Sequence, residues 1–444
     1  MVPSVLALDV GSSSVRAQRF DERAEPLDDL LQERYDGHDP DEIVGLVRKV
    51  VAGRDEGVDA VGASCFMHSL VALDAAGRPL TPVLGWRDTR SAGAAEWLRR
   101  RVPDAAAVHA RTGAPLHPSF WPAKLAWLAE DEPELFRTAT RFVSFCDYLT
   151  MELLGAEPVT SLSMASCTGL LDLATNGWDA ELLELLGVGE ERLPRISDEP
   201  LGVWYPALID GACSNLGAGC VGRHRAALMI GTSGAMRLLY ETETPQPQPG
   251  LFLYRLDERR VLDGGSLSDG GNLHAWLEKT LAGGEGSLLE RDPGEHGLTF
   301  LPFLGGERST GWDPDATGAI AGLTFDTTSL DIRQAALEGV AFRFAAIADR
   351  LPELEEVVAT GGALLADPEW IQLVADALAR PVIESAVEEA SLRGAAVAIL
   401  ERLGYEAAQA PLGNVFHPRE SRAEAYRSAR ERQQRLYEEL RGKD

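Results

Sequence analysis

The chain has 444 residues and an acidic composition, with 42 Lys and Arg against 69 Asp and Glu and a formal net charge of −27. At about 150 residues per domain, this length predicts two large or three smaller domains, and a hydrophobic content of 45% supplies enough apolar material for large cores. The negative charge argues against nucleic acid and against anionic membranes as partners, because both bind basic surfaces. It does not exclude a small anionic ligand held by a few local cations.

The beginning of the chain and its cysteines indicate the cellular compartment. No basic residue precedes the apolar run 5–8, and Asp9 interrupts that run, so we predict no signal peptide. No stretch approaches the ~18 apolar residues that a membrane span needs. We therefore expect a soluble, cytoplasmic protein without a membrane partner. The five cysteines form no Cys-x-x-Cys pair and are odd in number, so we expect reduced, mostly buried thiols.

The first block of the chain predicts a strand, a polar turn and a second strand. Residues 5–8 are an apolar, β-type run, residues 15–20 resume an extended pattern, and the turn between them is rich in Gly and Ser. Short apolar strands then alternate with amphipathic helices, which indicates an α/β fold. The further elements predicted in this half are helices over 41–51, 92–101 and 123–128 and a strand over 58–63.

The same order of strand, turn and strand returns in the second half. Residues 226–230 are apolar, residues 231–234 read GTSG, and residues 235–240 resume the apolar pattern. We interpret this return as an internal structural repeat. It predicts two phosphate-binding turns that face one cleft.

Three further stretches of the second half are interpreted from their context. Residues 217–222 match the dinucleotide fingerprint G-x-G-x-x-G, but a helical stretch precedes them and a strand follows. That order is the reverse of a dinucleotide site, so we reject the match. Helices are predicted over 331–351 and 421–442, and in the latter Leu436 and Leu440 indicate one docking face.

The two polar turns carry a candidate phosphate site. Glycine lets the backbone approach a phosphate, hydroxyls and amides donate to its oxygens, and a carboxylate at the strand end can hold Mg²⁺ through water. One such turn alone is equally typical of an ordinary hairpin, but two at matching positions favour a ligand. The candidate phosphate-binding residues are Asp9, Gly11, Ser12, Ser13, Ser14, Gly231, Thr232 and Ser233.

Two more segments suit a nucleoside and a polyhydroxyl ligand. Gly361, Gly362 and Ala363 follow an apolar strand, and a flat ring or a sugar could lie against their backbone. A plain strand–helix turn is the alternative. Other polar and aromatic side chains cluster near strand ends, where a lone His or Trp would otherwise be core. These candidate sugar-binding residues are Met67, His68, Trp86, Asp88 and Arg90.

These motifs, in this order and spacing, resemble the FGGY family of carbohydrate kinases, within the actin and hexokinase superfamily. The resemblance covers nearly the whole chain. It rests on residues 8–16, 231–234, 263–265, 306–309, 337–342 and 359–363. Within the family the chain most resembles gluconokinases. That finer likeness rests on residues 67–70, 86–90, 111–119, 121–124 and 163–169.

The resemblance implies two ribonuclease-H-like domains that flank a catalytic cleft. Residues 1–208 would form the N-terminal sugar-binding domain and residues 209–444 the C-terminal nucleotide-binding domain, with the terminal helix able to pack back on the first. ATP and Mg²⁺ would be the cofactors, with Asp9 at the metal. Asp210 would contact the substrate and act as general base, the 231–233 turn would hold the γ-phosphate, and residues 361–363 would hold the adenosine end.

The resemblance also implies a sugar or sugar acid as substrate, and we predict D-gluconate phosphorylated to 6-phosphogluconate. A carboxylate needs local cations in so acidic a protein. The candidates are His68, Arg87, Arg90, His117 and Lys124. A xylulokinase-like ketopentose kinase and a non-catalytic sugar- or nucleotide-binding homologue are the alternatives. A homodimer is compatible with the family.

Overall fold

The computed structural model describes residues 3–283, 286–351 and 353–441. Strands and helices alternate along the chain as the sequence predicts. The elements of the first half are β1 (Val5–Val10), β2 (Ser14–Phe20), β3 (Leu31–Arg34), α1 (Pro40–Val51), β4 (Ala60–Cys65), β5 (Val71–Leu73), α2 (Ala92–Arg101), α3 (Ala105–Thr112), α4 (Trp121–Asp131), α5 (Pro133–Thr138), β6 (Arg141–Val143), α6 (Phe145–Leu154), β7 (Val159–Thr160), α7 (Leu162–Ser166), β8 (Leu171–Asp172), β9 (Gly177–Trp178), α8 (Ala180–Leu186), β10 (Arg195–Ile196) and β11 (Leu208–Ile209).

The second half begins directly after β11. Its elements are α9 (Asp210–Gly217), β12 (Gly222–Ile230), β13 (Gly234–Glu241), β14 (Phe252–Arg255), β15 (Arg260–Leu267), α10 (Gly271–Thr280), β16 (Thr299–Leu301), β17 (Ala319–Ala321), α11 (Ser329–Ala348), β18 (Glu356–Thr360), α12 (Gly362–Leu365), α13 (Pro368–Leu378), β19 (Val382–Ser385), α14 (Ala390–Arg402), β20 (Leu412–Phe416) and α15 (Ala423–Arg441). The rejected fingerprint at 217–222 thus runs from the end of a helix into a strand, as predicted.

Two mixed sheets organise the molecule, and both are built around one antiparallel hairpin. The first has the strand order β11-β4-β1-β2-β3, and the second has the order β14-β15-β13-β12-β18-β19-β20. In each, the first strand of the hairpin also pairs in parallel with a later strand, β4 beside β1 and β18 beside β12. The predicted internal repeat is therefore present in the topology.

Helices α9 and α14 both belong to the second half of the chain, and both contact strands of the first half. Helix α14 belongs to the second half of the chain but packs against α9, β1 and β4. Its Gly394 is required, because a Cβ there would lie 1.7 Å from the carbonyl oxygen of Cys213 in α9. Gly217 makes the reciprocal approach to the backbone of Ala390. This contact anchors α9, and with it Asp210 at the start of α9.

The terminal helix α15 packs on the second half, against β16, α13 and α11. Its buried face is Tyr426, Ala429, Gln433 and Tyr437. The predicted docking face is wrong at Leu440, which is 60% exposed, whereas Leu436 is partly buried and packs against Leu301, Phe303 and Tyr437. The helix is held by hydrogen bonds that hydrophobic periodicity does not register, including those from the Gln433 amide to two backbone carbonyls.

The cysteines depart from the expectation of reduced thiols. Cys65 ends β4 and Cys146 lies at the start of α6, and the two are joined in a disulfide with a Cα–Cα distance of 6.6 Å. They are 81 residues apart in the sequence, so only the packing of α6 against the first sheet brings them together. Cys167, Cys213 and Cys220 are free and buried, as predicted. Among the described residues, no helix is both long and apolar enough to cross a bilayer.

Candidate active site

In each sheet, the polar turn predicted from the sequence connects the two strands of the hairpin. In the first turn the Gly11 amide donates to the carbonyl of Ser14 over 2.9 Å, and in the second the Gly231 amide donates to the carbonyl of Ser233 over 3.0 Å. The hydroxyl of Tyr35 donates to the carbonyl of Gly11 and so stabilises the first turn. Both turns are thus closed by their own backbone, which leaves hydroxyl groups free to face a ligand.

The turns border a cavity of about 220 Å³ between the two halves of the chain. The cavity brings predicted residues from both halves together. Those on its wall are Ser12, Met67, His68, Trp86, Asp210, Thr232 and Ser233. Other predicted residues belong to the same two turns without forming the wall. They are Asp9, Gly11, Ser13, Ser14 and Gly231.

Asp210 combines accessibility to the cavity with a shifted acidity. It is the first residue of α9, and its carboxylate accepts from the Gly211 amide over 2.7 Å. Burial raises the pKa of Asp210 to about 6; Arg237 opposes this shift, and the negative charge of Asp9 adds to it. A carboxylate with a pKa just below neutrality is suited to accept a proton at physiological pH.

Asp9 lies behind the first turn and is almost fully buried. It accepts from the Ser64 hydroxyl over 2.8 Å and from the Arg16 guanidinium over 2.9 Å. Burial raises the pKa of Asp9, while the bonds from Ser64 and Arg16 lower it. The described ranges contain no group of three or more His, Cys, Asp or Glu that could hold a metal ion. Mg²⁺ is commonly held by one or two carboxylates plus substrate phosphates, and Asp9 beside Asp210 fits that pattern.

His68 presents a neutral ring to the cavity. Its backbone has φ of 67°, and Nδ1 lies 2.7 Å from the carbonyl oxygen of Cys167. Burial lowers the pKa of His68 far below its usual value, and the cations of Arg308 and Lys124 lower it further. Nδ1 must therefore donate to Cys167, which leaves Nε2 as a buried acceptor without a partner among the described residues.

Lys124 holds the His68 loop in place through hydrogen bonds and does not line the cavity. Its ammonium is buried and donates to the carbonyls of His68, over 2.5 Å, and Leu84, over 3.0 Å. Burial lowers the pKa of Lys124 to about 7. The side chain thus ties the loop of His68 to the loop that precedes Trp86.

Asp88 and Arg90 are not part of the cavity wall, unlike the other predicted sugar-binding residues. The Arg90 guanidinium donates to both carboxylate oxygens of Asp88 and lies over the ring of Trp127, 4.6 Å from its centroid. Neither residue lines the cavity. The pair therefore fixes the shape of the 86–90 loop, and the structure does not bring Asp88 or Arg90 to Asp210.

The third glycine turn abuts the second phosphate turn. Gly361 has φ of 89°, and a Cβ there would lie 2.5 Å from the carbonyl oxygen of Ile230. A Cβ on Gly271 would meet both Ala363 and the carbonyl of Gly231. Gly362, in contrast, has open space around its Cα. The predicted γ-phosphate and adenosine segments are therefore neighbours at the carboxyl ends of the central strands β12 and β18 of the second sheet.

Sequence reasoning missed two buried arginines of the cavity wall, Arg237 and Arg308. Arg237 lies within the otherwise apolar strand β13, and a charged residue at a buried strand position is a signal that could have identified it. Arg308 lies in the 306–309 segment that carried the family resemblance. A second cavity of about 300 Å³ adjoins the first and shares Trp86, Arg87 and Arg308 with it.

Comparison with known proteins gives a family match in each half of the chain. Residues 4–200 match the N-terminal domain of the FGGY family of carbohydrate kinases, and residues 226–400 match its C-terminal domain. The gluconokinase of Bacillus subtilis (strain 168) is 27% identical, over 96% of this chain and 94% of that protein.

Solved structures cover the chain almost completely. A ligand-bound xylulose kinase from Lactobacillus acidophilus superposes with a TM-score of 0.89 and 26% identity, covering 99% of both chains. A gluconate kinase from the same organism superposes with a TM-score of 0.88 and 26% identity, covering 98% of both. The predicted fold is confirmed, and this chain belongs to the FGGY family of carbohydrate kinases, enzymes that use ATP as phosphoryl donor and a small sugar as acceptor.

Proposed function

We propose that this kinase transfers the γ-phosphate of ATP to the 6-hydroxyl of D-gluconate. The observation that carries the proposal is the position of Asp210, whose carboxylate reaches the cavity that both polar turns border. A base, two phosphate-binding turns and a polar wall within one cavity are the parts that phosphoryl transfer to an alcohol needs.

In the proposed reaction, Asp210 accepts the proton of the attacking hydroxyl. The hydroxyl oxygen forms a bond to the γ-phosphorus, and the bond from that phosphorus to the bridging oxygen of ADP breaks. At pH 7 most of the Asp210 carboxyl is ionised, since burial raises its pKa only to about 6. Arg237 lies beside Asp210 and lines the cavity, so its charge would offset the negative charge of the transferring group.

The nucleotide would lie at the carboxyl ends of the central strands β12 and β18 of the second sheet. Thr232 and Ser233 would donate to the γ-phosphate, and Gly361, Gly362 and Ala363 would lie against the adenosine end. Asp9 would hold Mg²⁺ together with the phosphates, and the bound ion would neutralise phosphate charge. Ser12 would complete the phosphate contacts from the first turn.

The sugar would be bound by the first half of the chain. Nε2 of His68 would accept a hydrogen bond from a sugar hydroxyl. Met67 and Trp86 line the cavity and would contact the carbon chain of the sugar. Arg87 and Arg308 supply positive charge for a carboxylate. The proposal has three further parts. They are a division into domains 1–208 and 209–444, a cytoplasmic location where ATP is available, and a homodimer.

A ketopentose such as xylulose is the second candidate. The observation that favours it is the neutral state of His68, whose free ring nitrogen would accept a hydrogen bond from a hydroxyl but not from a carboxylate. A xylulose kinase is also among the similar structures. A non-catalytic homologue is disfavoured by Asp9, Asp210 and Thr232 together.

Steady-state kcat/KM for gluconate, xylulose, ribulose and glycerol separates the candidates. We expect gluconate to lead the panel, with release of one ADP per phosphorylated sugar acid. A neutral ketose that exceeds gluconate by tenfold would replace the proposed substrate but keep the kinase assignment. Absence of ADP release with the whole panel would favour the non-catalytic alternative.

A further inference from the structure

Arg308 occupies an unusual position at the junction of the two cavities. The residue is only 8% exposed, yet it forms part of the wall of both cavities. Its guanidinium carbon lies 5.0 Å from the ring centroid of Trp86 and 5.8 Å from that of Trp312. Two indole rings thus restrict the orientation of the guanidinium before any ligand arrives, which lowers the entropic cost of binding.

Burial lowers the pKa of this guanidinium and the negative charge of Asp210 opposes that shift, but no carboxylate in the described part of the chain lies within ion-pair distance of it. Arg308 forms no ion pair there, and its Nε is buried without a hydrogen-bond partner. The adjacent Glu307 is already engaged, since it accepts from Arg343 over 2.8 Å and from the Tyr437 hydroxyl over 2.7 Å. A buried guanidinium that forms no direct ion pair is costly, so its retention at a cavity wall indicates an anionic ligand group.

The surroundings of Arg308 favour an anion other than the transferred phosphate. Thr232 and Ser233 line only the first cavity, whereas Arg308 also lines the second, beside the neutral donors Ser119 and Asn272. The guanidinium of Arg87 lies 4.8 Å from the same Trp86 centroid. Two cations around one ring make the junction of the two cavities electropositive.

We propose that Arg308 is a specificity-determining residue that binds the carboxylate of an open-chain sugar acid. The inference rests on the proposed function: with the terminal hydroxyl at Asp210, the carboxylate of a six-carbon acid lies at the opposite end of the carbon chain, toward the second cavity. Arginine suits this role because its planar fork can donate two parallel hydrogen bonds to a carboxylate.

The test compares gluconate with D-glucitol, in which a neutral CH₂OH replaces the carboxylate. Calorimetric Kd and steady-state KM are measured for the wild type, Arg308→Met and Arg308→Lys. We expect Arg308→Met to weaken gluconate binding by about 10- to 100-fold, the loss typical of a charge-assisted hydrogen bond, and to change glucitol binding by less than about threefold, since its neutral end forms no such bond. Arg308→Lys keeps the charge without the fork and should fall between.

Arg101→Met is the matched control. Its guanidinium also lies over an indole, 5.1 Å from the Trp97 centroid, but Arg101 is exposed and lines neither cavity. It should alter neither Kd. Thermal unfolding of each variant shows whether it is folded, and if Arg308→Met fails to fold, the comparison of gluconate with glucitol is made on Arg308→Lys.

Each outcome decides the assignment. An equal loss of kcat for acid and neutral substrates, with unchanged gluconate affinity, would place Arg308 at the phosphoryl group and overturn the proposal. Unchanged kinetics and affinity in Arg308→Met would also overturn it, while leaving gluconate as the substrate. If the wild type neither binds nor phosphorylates gluconate, the proposed function fails first and the assignment of Arg308 fails with it.

Discussion

At the scale of single residues, the acidity of Asp210 sets the clearest expectation. Asp210→Asn removes the proton acceptor but keeps the size of the side chain, so we expect kcat to fall by ~10²–10⁴ while calorimetric ATP affinity persists. In the wild type, kcat should fall as pH drops below about 6, where Asp210 becomes protonated. A variant that keeps more than a tenth of the wild-type kcat would contradict the assignment. Asp74→Asn is the control, since Asp74 only closes its own turn through the amides of Ala76 and Arg78.

Lys124 illustrates a residue that acts through others. Lys124→Met leaves the carbonyls of His68 and Leu84 without their buried donor, which should lower the free energy of unfolding by about 1–3 kcal/mol. Because the His68 loop would lose its support, KM for the sugar should rise more than KM for ATP. Lys124→Gln keeps a donor and should restore part of both effects. Equal changes in the two KM values would indicate a general loss of structure and not a role in positioning.

The same lysine makes stability depend on pH in a defined direction. Burial lowers its folded pKa from 10.5 to about 7, so between these values the unfolded chain binds a proton that the folded chain does not. The contribution of Lys124 to stability therefore rises with pH across this interval. Urea unfolding at several pH values should show a smaller rise for Lys124→Met than for the wild type.

At the scale of elements, the β18–α12 turn offers a clean test of nucleotide binding. Gly361 cannot be replaced without a clash with Ile230, but Gly362 has open space where a Cβ would stand and no unusual φ. Gly362→Leu should therefore fold normally and weaken ATP binding, with less effect on gluconate binding. Gly45→Leu, equally open and located in α1, is the matched control. Unchanged ATP affinity in Gly362→Leu would place the adenosine end elsewhere.

The sequence predicted the elements that follow a simple period and missed those held by long-range contacts. Both hairpins with their polar turns were predictable, because apolar alternation and Gly/Ser turns are local signals. The Cys65–Cys146 pair and the burial of α15 through Gln433 depend on tertiary contacts. The contacts of Arg90 with Asp88 and with the ring of Trp127 were missed as well, and Arg90 is not part of the cavity wall.

The candidate site was predictable where its residues lie at strand ends, and not where they lie in buried positions. Ser12 and Thr232 belong to turns that a sequence pattern identifies, whereas Asp210, the first residue of α9, is identified only through the family resemblance. The neutral state of His68 could not be predicted, because it results from burial and from the cations of Arg308 and Lys124. A sequence pattern treats a histidine as a potential cation, whereas packing here makes it an acceptor.

At the scale of the whole molecule, the two halves meet around the cavity, and ligands would contact both. The proposed sugar contacts, His68 and Trp86, lie in the first half, and the proposed phosphate contacts, Thr232 and Ser233, lie in the second. A complex of both ligands should therefore draw the halves together and exclude water from the transferring group.

We expect the radius of gyration from X-ray scattering to fall when gluconate and a non-hydrolysable ATP analogue are both present, and to fall less with either alone. Gly362→Leu, which should not hold the nucleotide, should show only the response to gluconate. Identical profiles for the free wild type and its complex with both ligands, at concentrations where calorimetry shows saturation, would mean that the cavity works without closure.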